Sequence, residues 1–254
     1  MRKDMCILVN PSDQIVGHAS KLEAHSFVSG TPYGRLHRAF SVFLFDHSDR
    51  LLLQQRAASK ITFPSVWTNT CCSHQLYGCH PPEVDSDDDI RTGTVPGAKF
   101  AAVRKLEHEL GIPRGAVPTH AFRFLTRLHY CAADTATHGP NSPWGEHEID
   151  YILLARTDST SLPVTPHPEE VDDTKWVTPD QLREMMKPES GLTWSPWFRA
   201  IVDKFLWTWW ADLPRALDQL DDHFLDVDHV HRVLVTDEVL ADASRDRDGK
   251  GQKP

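Results

Sequence analysis

The longest apolar run of the chain, Ala39 to Phe45, is broken by Ser41 and is built from aromatic and aliphatic residues. It is far shorter than the roughly 18 apolar residues needed to cross a membrane, so it belongs in the interior of a folded domain. Its composition favours extended backbone. The turn-forming Asp46-His-Ser-Asp-Arg50 separates it from Leu51-Leu-Leu-Gln-Gln-Arg56, and the spacing predicts a long hairpin over Leu36 to Arg56. A shorter hairpin is expected at the start, where Met5-Cys-Ile-Leu-Val9 and Gln14-Ile-Val-Gly17 flank Asn10-Pro-Ser-Asp13.

Residues 57 to 97 hold several prolines and glycines and the acidic run Asp85-Ser-Asp-Asp-Asp-Ile90, which reads as a solvated surface insertion over about 77–97. Ala98 to Leu110 then places Val103, Leu106 and Leu110 at helical spacing, and Gly111 followed by Pro113 stops the helix. Strands are expected at Phe122 to Tyr130, His147 to Ala155 and Thr174 to Val177, with a loop over 132–143 between the first two. Thr178-Pro-Asp-Gln181 starts a helix through Met186, and a longer apolar helix is expected from Pro196 to Trp210. This order of strands and helices implies an α+β or α/β sandwich with the sheet in the middle. At 254 residues the chain is expected to form one domain over 1–240, and its charged, glycine-bearing end, 241–254, to be disordered.

The formal charge of −9 argues against nonspecific binding to nucleic acid but leaves room for a local basic pocket. The cysteines Cys6, Cys71, Cys72, Cys79 and Cys131 are odd in number and lack a C-x-x-C spacing, so free thiols are expected rather than a disulfide framework or a cysteine-rich zinc site.

Four segments concentrate reactive side chains. In Thr68-Asn-Thr-Cys71-Cys72-Ser73-His74, an extended backbone turns Cys72 and His74 to one face and Cys71 to the other. The same alternation in Trp144-Gly-Glu146-His147-Glu148 pairs Glu146 with Glu148 and sends His147 across the strand. Two adjacent carboxylates repel, and a divalent metal held with imidazoles is the economical remedy, with His25 and His37 as further candidate ligands. Arg56 and Lys60 offer two cations four residues apart, suited to a phosphate. On the helix, Lys105 and Glu109 share a face, as a simple ion pair or as part of a phosphate and metal site.

Taken together these segments resemble type I, non-flavin isopentenyl-diphosphate isomerases of the Nudix superfamily, in their eukaryotic form. The resemblance runs from about Met5 to about Phe224. It rests on Leu36-His-Arg-Ala-Phe-Ser-Val-Phe-Leu-Phe45, Lys60-Ile-Thr-Phe-Pro64, Thr68-Asn-Thr-Cys-Cys-Ser-His74, Trp144-Gly-Glu-His-Glu-Ile-Asp-Tyr-Ile-Leu-Leu154 and Pro196-Trp-Phe198. It implies an α+β fold, a Nudix-type mixed sheet sandwiched between helices, with an N-terminal hairpin and a C-terminal helical extension. By the same resemblance His25, His37, His74, Glu146 and Glu148 would hold one divalent metal (zinc, manganese or magnesium). Cys72 and Glu148 would be the opposed acid and base, with Tyr130 bonded to Glu148 and Trp197 lying against the hydrocarbon. Glu109, with the backbone carbonyl of Cys72, would hold a magnesium carried by the substrate diphosphate. Lys21, Arg56, Lys60 and Lys105 would meet the diphosphate itself.

The implied activity moves a carbon–carbon double bond of a small diphosphate through a tertiary carbocation, in isoprenoid biosynthesis. Two alternatives stay open at this point. A Nudix diphosphate hydrolase would need the motif R-E-hydrophobe-x-E-E-x-G, whereas this helix reads Arg104-Lys105-Leu106-Glu107-His108-Glu109-Leu110-Gly111 and lacks two of the three glutamates. A noncatalytic metal- or nucleotide-sensing module would have no use for the proton donor Cys72. A monomer is expected, with no nucleic-acid partner and no membrane span. The expected location is the cytoplasm, or a plastid or other organelle if a leader had been removed.

Overall fold

The computed structural model describes residue 1 and residues 3–245. The first hairpin forms as its pattern predicts, from β1 (Met5–Val9) and β2 (Ile15–Ser20) in antiparallel register. The apolar run becomes β3 (His37–Asp46), whose ten residues are all buried. A strand covered on both faces reads as a continuous apolar run, and this one lies near the middle of the sheet.

The long hairpin is corrected by the structure. β3 meets β4 (Leu51–Arg56) at Phe45↔Leu51, after which β4 turns away to pair with β5 (Trp67–Thr68) and β9 (Val171–Val177). A side chain explains the divergence: Thr70 Oγ1 accepts the Leu44 N–H at 2.9 Å and donates to the Leu52 carbonyl at 2.6 Å, standing where ladder bonds would otherwise run. The freed edge of β3 is taken by β6 (Cys71–Ser73) and by Leu8 of β1. On its other edge β3 runs parallel to β8 (Gly145–Thr157), from His37↔Glu148 to Asp46↔Thr157. β8 pairs in turn with β7 (Arg123–Ala133), and β7 with β10 (Val230–Arg232).

Two apolar layers close on this mixed sheet. The Pro96–Leu110 helix packs Ala98, Ala102, Leu106 and Leu110 against Phe40, Val42 and Leu153 on one side. Gly111 ends that helix at φ +61, where a Cβ would come within 2.5 Å of the Thr165 carbonyl oxygen. On the other side Phe43, Phe45 and Ile152 pack against Trp197, Phe198 and Trp209. The helix expected from Pro196 forms over Pro196–Ile201 and Trp207–Ala211, with a π-helical turn, Val202–Leu206, between them.

The acidic insertion is less solvated than its composition suggests. Asp87–Arg91 is a helix with a Ser86/Asp89 capping box, and buried Asp85 accepts the Gly97 and Ala98 N–H groups at 2.6 and 2.9 Å at the start of the Pro96–Leu110 helix. The expected loop 132–143 likewise contains a short helix, Thr135–His138. The expectation of disorder from 241 meets a helix over Asp237–Arg245, while 246–254 lie outside the described residues. No helix among the described residues is long and apolar enough to cross a membrane.

Candidate active site

Strand periodicity and register bring Cys72, His37, Glu146 and Glu148 to one face of the sheet, while Lys105 and Glu109 come from the helix packed on the other. Glu146 and Glu148 project from β8 on the same side, and β3 brings His37 opposite Glu148. His25 caps the short Lys21–Ala24 helix, which is itself fixed by a Ser20/Glu23 capping box, and His74 follows β6 directly. The ligand atoms of His25, His37, His74, Glu146 and Glu148 lie within 4.8 Å of one another, and all five residues are buried.

The donor chemistry of this cluster fits a cation. His25 Nδ1 donates to the Lys21 carbonyl and His37 Nδ1 to the Arg35 carbonyl, each at 2.7 Å. Both imidazoles therefore turn Nε2 towards the cluster. His25 Nε2 stands 2.7 Å from Glu146 Oε2, His37 Nε2 3.6 Å from Glu148 Oε1, and His74 Nε2 2.7 Å from Glu148 Oε1. His25 Nε2, His37 Nε2 and Glu146 Oε2 are buried and make no hydrogen bond. An unprotonated Nε2 facing a carboxylate oxygen at such distances is repulsive, and a bound cation would relieve it. Burial alone would raise both carboxyls, yet the neighbouring histidines hold Glu146 and Glu148 below the usual carboxylate range. Thr62 Oγ1 donates to Glu146 Oε1 at 2.8 Å, and the Tyr130 hydroxyl donates to Glu148 Oε2.

Beside the cluster opens a cavity of about 440 Å³. All the site residues expected from the sequence line it except His25 and His37, which lie deeper in the cluster. Cys72 enters from β6 on one flank of β3 and Glu148 from β8 on the other. Burial pushes the Cys72 thiol up to about 12, although the Arg56 guanidinium, with Nη1 3.9 Å from Sγ, pulls the other way. The thiol thus keeps its proton across the neutral range. Cys71 faces away, its Sγ 3.4 Å from Glu109 Oε2, as the alternation requires.

Trp197 is held edge-on by Phe63, with ring centroids 5.5 Å apart, and lies 5.9 Å from the Tyr130 ring. Its indole N–H donates to Asn69 Oδ1 at 3.3 Å, and Asn69 Nδ2 donates to the Cys71 carbonyl at 2.9 Å, so one amide couples the indole to the cysteine strand.

The remaining wall is cationic. Lys21, Arg56, Lys60, Arg104 and Lys105 reach it, joined by the carboxylates of Glu109 and Glu170. Lys105 Nζ lies 3.0 Å from Glu109 Oε1 and Gln54 Nε2 donates to Oε2 at 3.2 Å. Burial would raise the Glu109 carboxyl, but Lys105 and Lys60 bring it down to about 2. Sequence reasoning missed Thr62, Asn69, Arg104 and Glu170. Arg104 adjoins Lys105 and was within reach of the helix reading. It donates to the His74 carbonyl at 3.1 Å and is gripped by Glu83 from the insertion. Glu170 lies in a loop with no local pattern to mark it.

The fold and the site together define a Nudix protein: the NUDIX domain family matches residues 35–198, and a solved structure from Deinococcus radiodurans shares the fold at a TM-score of 0.51 and 16% identity, covering 80% of this chain and all of that one. Within that class the chain is 43% identical over 242 residues to the isopentenyl-diphosphate delta-isomerase of Candida albicans, spanning 92% of this chain and 80% of that protein. It is 46% identical over 220 residues to isopentenyl-diphosphate Delta-isomerase I of Camptotheca acuminata, spanning 85% and 86%. The chain belongs to the isopentenyl-diphosphate delta-isomerase family.

Proposed function

We propose that this chain converts isopentenyl diphosphate to dimethylallyl diphosphate, with Cys72 as the acid and Glu148 as the base. The observation that carries this reading is the placement of a protonated thiol and an ionised carboxylate on the two flanks of β3, facing one cavity with a cationic wall. Protonating an unactivated alkene and removing a different proton requires two such groups in a water-poor site, each worth roughly 10²–10⁴ in rate.

Cys72 delivers its proton to carbon 4, and the thiolate left behind faces the Arg56 guanidinium, which offsets its charge. The resulting tertiary cation lies beside the Trp197 indole, whose face contributes about 0.5–2 kcal/mol of cation–π stabilisation. Glu148, oriented by Tyr130, then takes the proton from carbon 2. Lys21, Arg56, Lys60 and Lys105 bind the diphosphate. His25, His37, His74, Glu146 and Glu148 would hold one divalent ion of zinc, manganese or magnesium type, whose charge sets the proton affinity of Glu148, and Glu109 would hold the magnesium that accompanies the diphosphate.

A hydrolase reading fares worse, because the Lys105 ammonium stands 3.0 Å from Glu109 where a second carboxylate is needed to gather cations around a water. Incubation with isopentenyl diphosphate and magnesium in deuterated water decides the matter. The expected product is deuterium-bearing dimethylallyl diphosphate without free phosphate. Phosphate release without isomer would sink the isomerase reading, and silence in both channels would favour a binding module.

A further inference from the structure

Besides Glu109, the cationic wall of the cavity contains a second anion. The Glu170 carboxylate pairs with Lys60, and its Oε1 lies 3.9 Å from Lys105 Nζ and 3.5 Å from His108 Nδ1. It therefore reaches cations from two separate segments, the loop after β4 and the Pro96–Leu110 helix. Its backbone is tied to both. Ala57 N–H donates to the Glu170 carbonyl at 3.0 Å, Glu170 N–H to the His167 carbonyl at 2.9 Å, and His167 N–H to the Glu109 carbonyl at 2.8 Å.

These ties position the residue without help from its side chain, so the carboxylate is free to serve the cations alone. Lys21, Lys60 and Lys105 repel one another in a partly desolvated cavity, and an internal carboxylate relieves that repulsion while the site is empty. A diphosphate carries more negative charge and more acceptor oxygens than one carboxylate.

Building on the isomerase reading, we infer that Glu170 is a resident stand-in for the diphosphate: in the free enzyme it pairs with Lys60 and adds to Glu109 in offsetting Lys105, yields both lysines to the substrate and reclaims them as product leaves. Affinity for the diphosphate is thereby lowered and release hastened. Isothermal titration with inorganic diphosphate in the presence of magnesium reads this directly, without turnover. Glu170→Gln is expected to bind it about tenfold more tightly than the unaltered chain, since the competing charge is gone. With isopentenyl diphosphate the same variant should show a lower KM and a lower kcat, release having become slower. Glu170→Asp keeps the charge and should stay near the unaltered affinity.

Equal or weaker binding by Glu170→Gln overturns the inference, as does tightening of the same size in Glu170→Asp. A Glu170→Gln variant that needs more magnesium for the same diphosphate affinity makes the residue a metal ligand and also overturns it. Failure of the unaltered chain to isomerise its substrate would strike the isomerase reading instead, because diphosphate affinity is measured independently of it.

Discussion

Strand β8 carries Glu146, His147 and Glu148 in succession, and its two faces use histidine in opposite ways. On one face His25, His37 and His74 confront two carboxylates, with the Nδ1–H groups of His25 and His37 already committed to backbone carbonyls. On the other, His147 meets His129, Nε2 to Nε2 at 2.9 Å, with rings 15° from parallel. In a neutral pair of imidazoles the two facing nitrogens satisfy each other, one donating and one accepting. In the carboxylate-facing set His74 Nε2 bonds Glu148 Oε1 at 2.7 Å, whereas His25 Nε2, His37 Nε2 and Glu146 Oε2 make no hydrogen bond and suit a cation between them. The chemistry of the partner, rather than the number of histidines, separates a candidate metal centre from a structural contact.

The largest effect that would break this comparison comes from emptying one face. His74→Ala is expected to lose the bound divalent ion and abolish turnover, whereas His147→Ala should retain the ion, as measured by elemental analysis of purified protein. Equal metal loss in both variants would contradict the division of faces. The same alternation on β6 makes a second test, in which Cys72→Ala costs at least about 10²-fold in kcat while Cys71→Ala costs mainly stability. If the damage ran the other way, the acid would have to be Cys71.

A gentler probe removes the hydroxyl that orients Glu146. Thr62→Val should weaken the metal by about 10–100-fold in a chelator competition while leaving the fold intact, and unchanged affinity would show that Glu146 needs no such support. The smallest effect belongs to the histidine pair. Burial, with a lesser push from Arg232, brings His129 down to about 4, against roughly 6.5 in an unfolded chain. Between those values the unfolded state binds a proton that the folded state refuses, so stability is complete above about pH 6.5 and falls towards pH 4 by up to about 1.4 kcal/mol per unit. His147, pushed to about 3 by burial and by His129, steepens the same acid limb. His129→Gln should flatten the limb in denaturant titrations without changing metal content; an unaltered slope would assign acid lability elsewhere.

Much of this arrangement was legible before any fold was known. Period-two alternation separates Glu146 and Glu148 from His147, and Cys72 from Cys71, because an extended backbone leaves a side chain no other choice. Gly111 marks the end of the helix that carries Lys105 and Glu109, since its left-handed conformation suits a residue without a Cβ. The resemblance of the segments named the family and brought scattered histidines into one list of candidates.

Other features exist only in three dimensions. Thr70 parts β3 from β4, and no pattern within Leu36 to Arg56 could announce a wedge supplied from outside it. Thr62 on Glu146, Trp197 on Asn69, and Glu170 among the lysines are contacts between segments distant in the chain. Local sequence determines backbone periodicity and side-chain chemistry, which is why it determined the long strands, the Pro96–Leu110 helix and most of the reactive groups. Which carboxylate meets which cation depends on how the packed layers bring loops together, and that was decided by the tertiary structure alone.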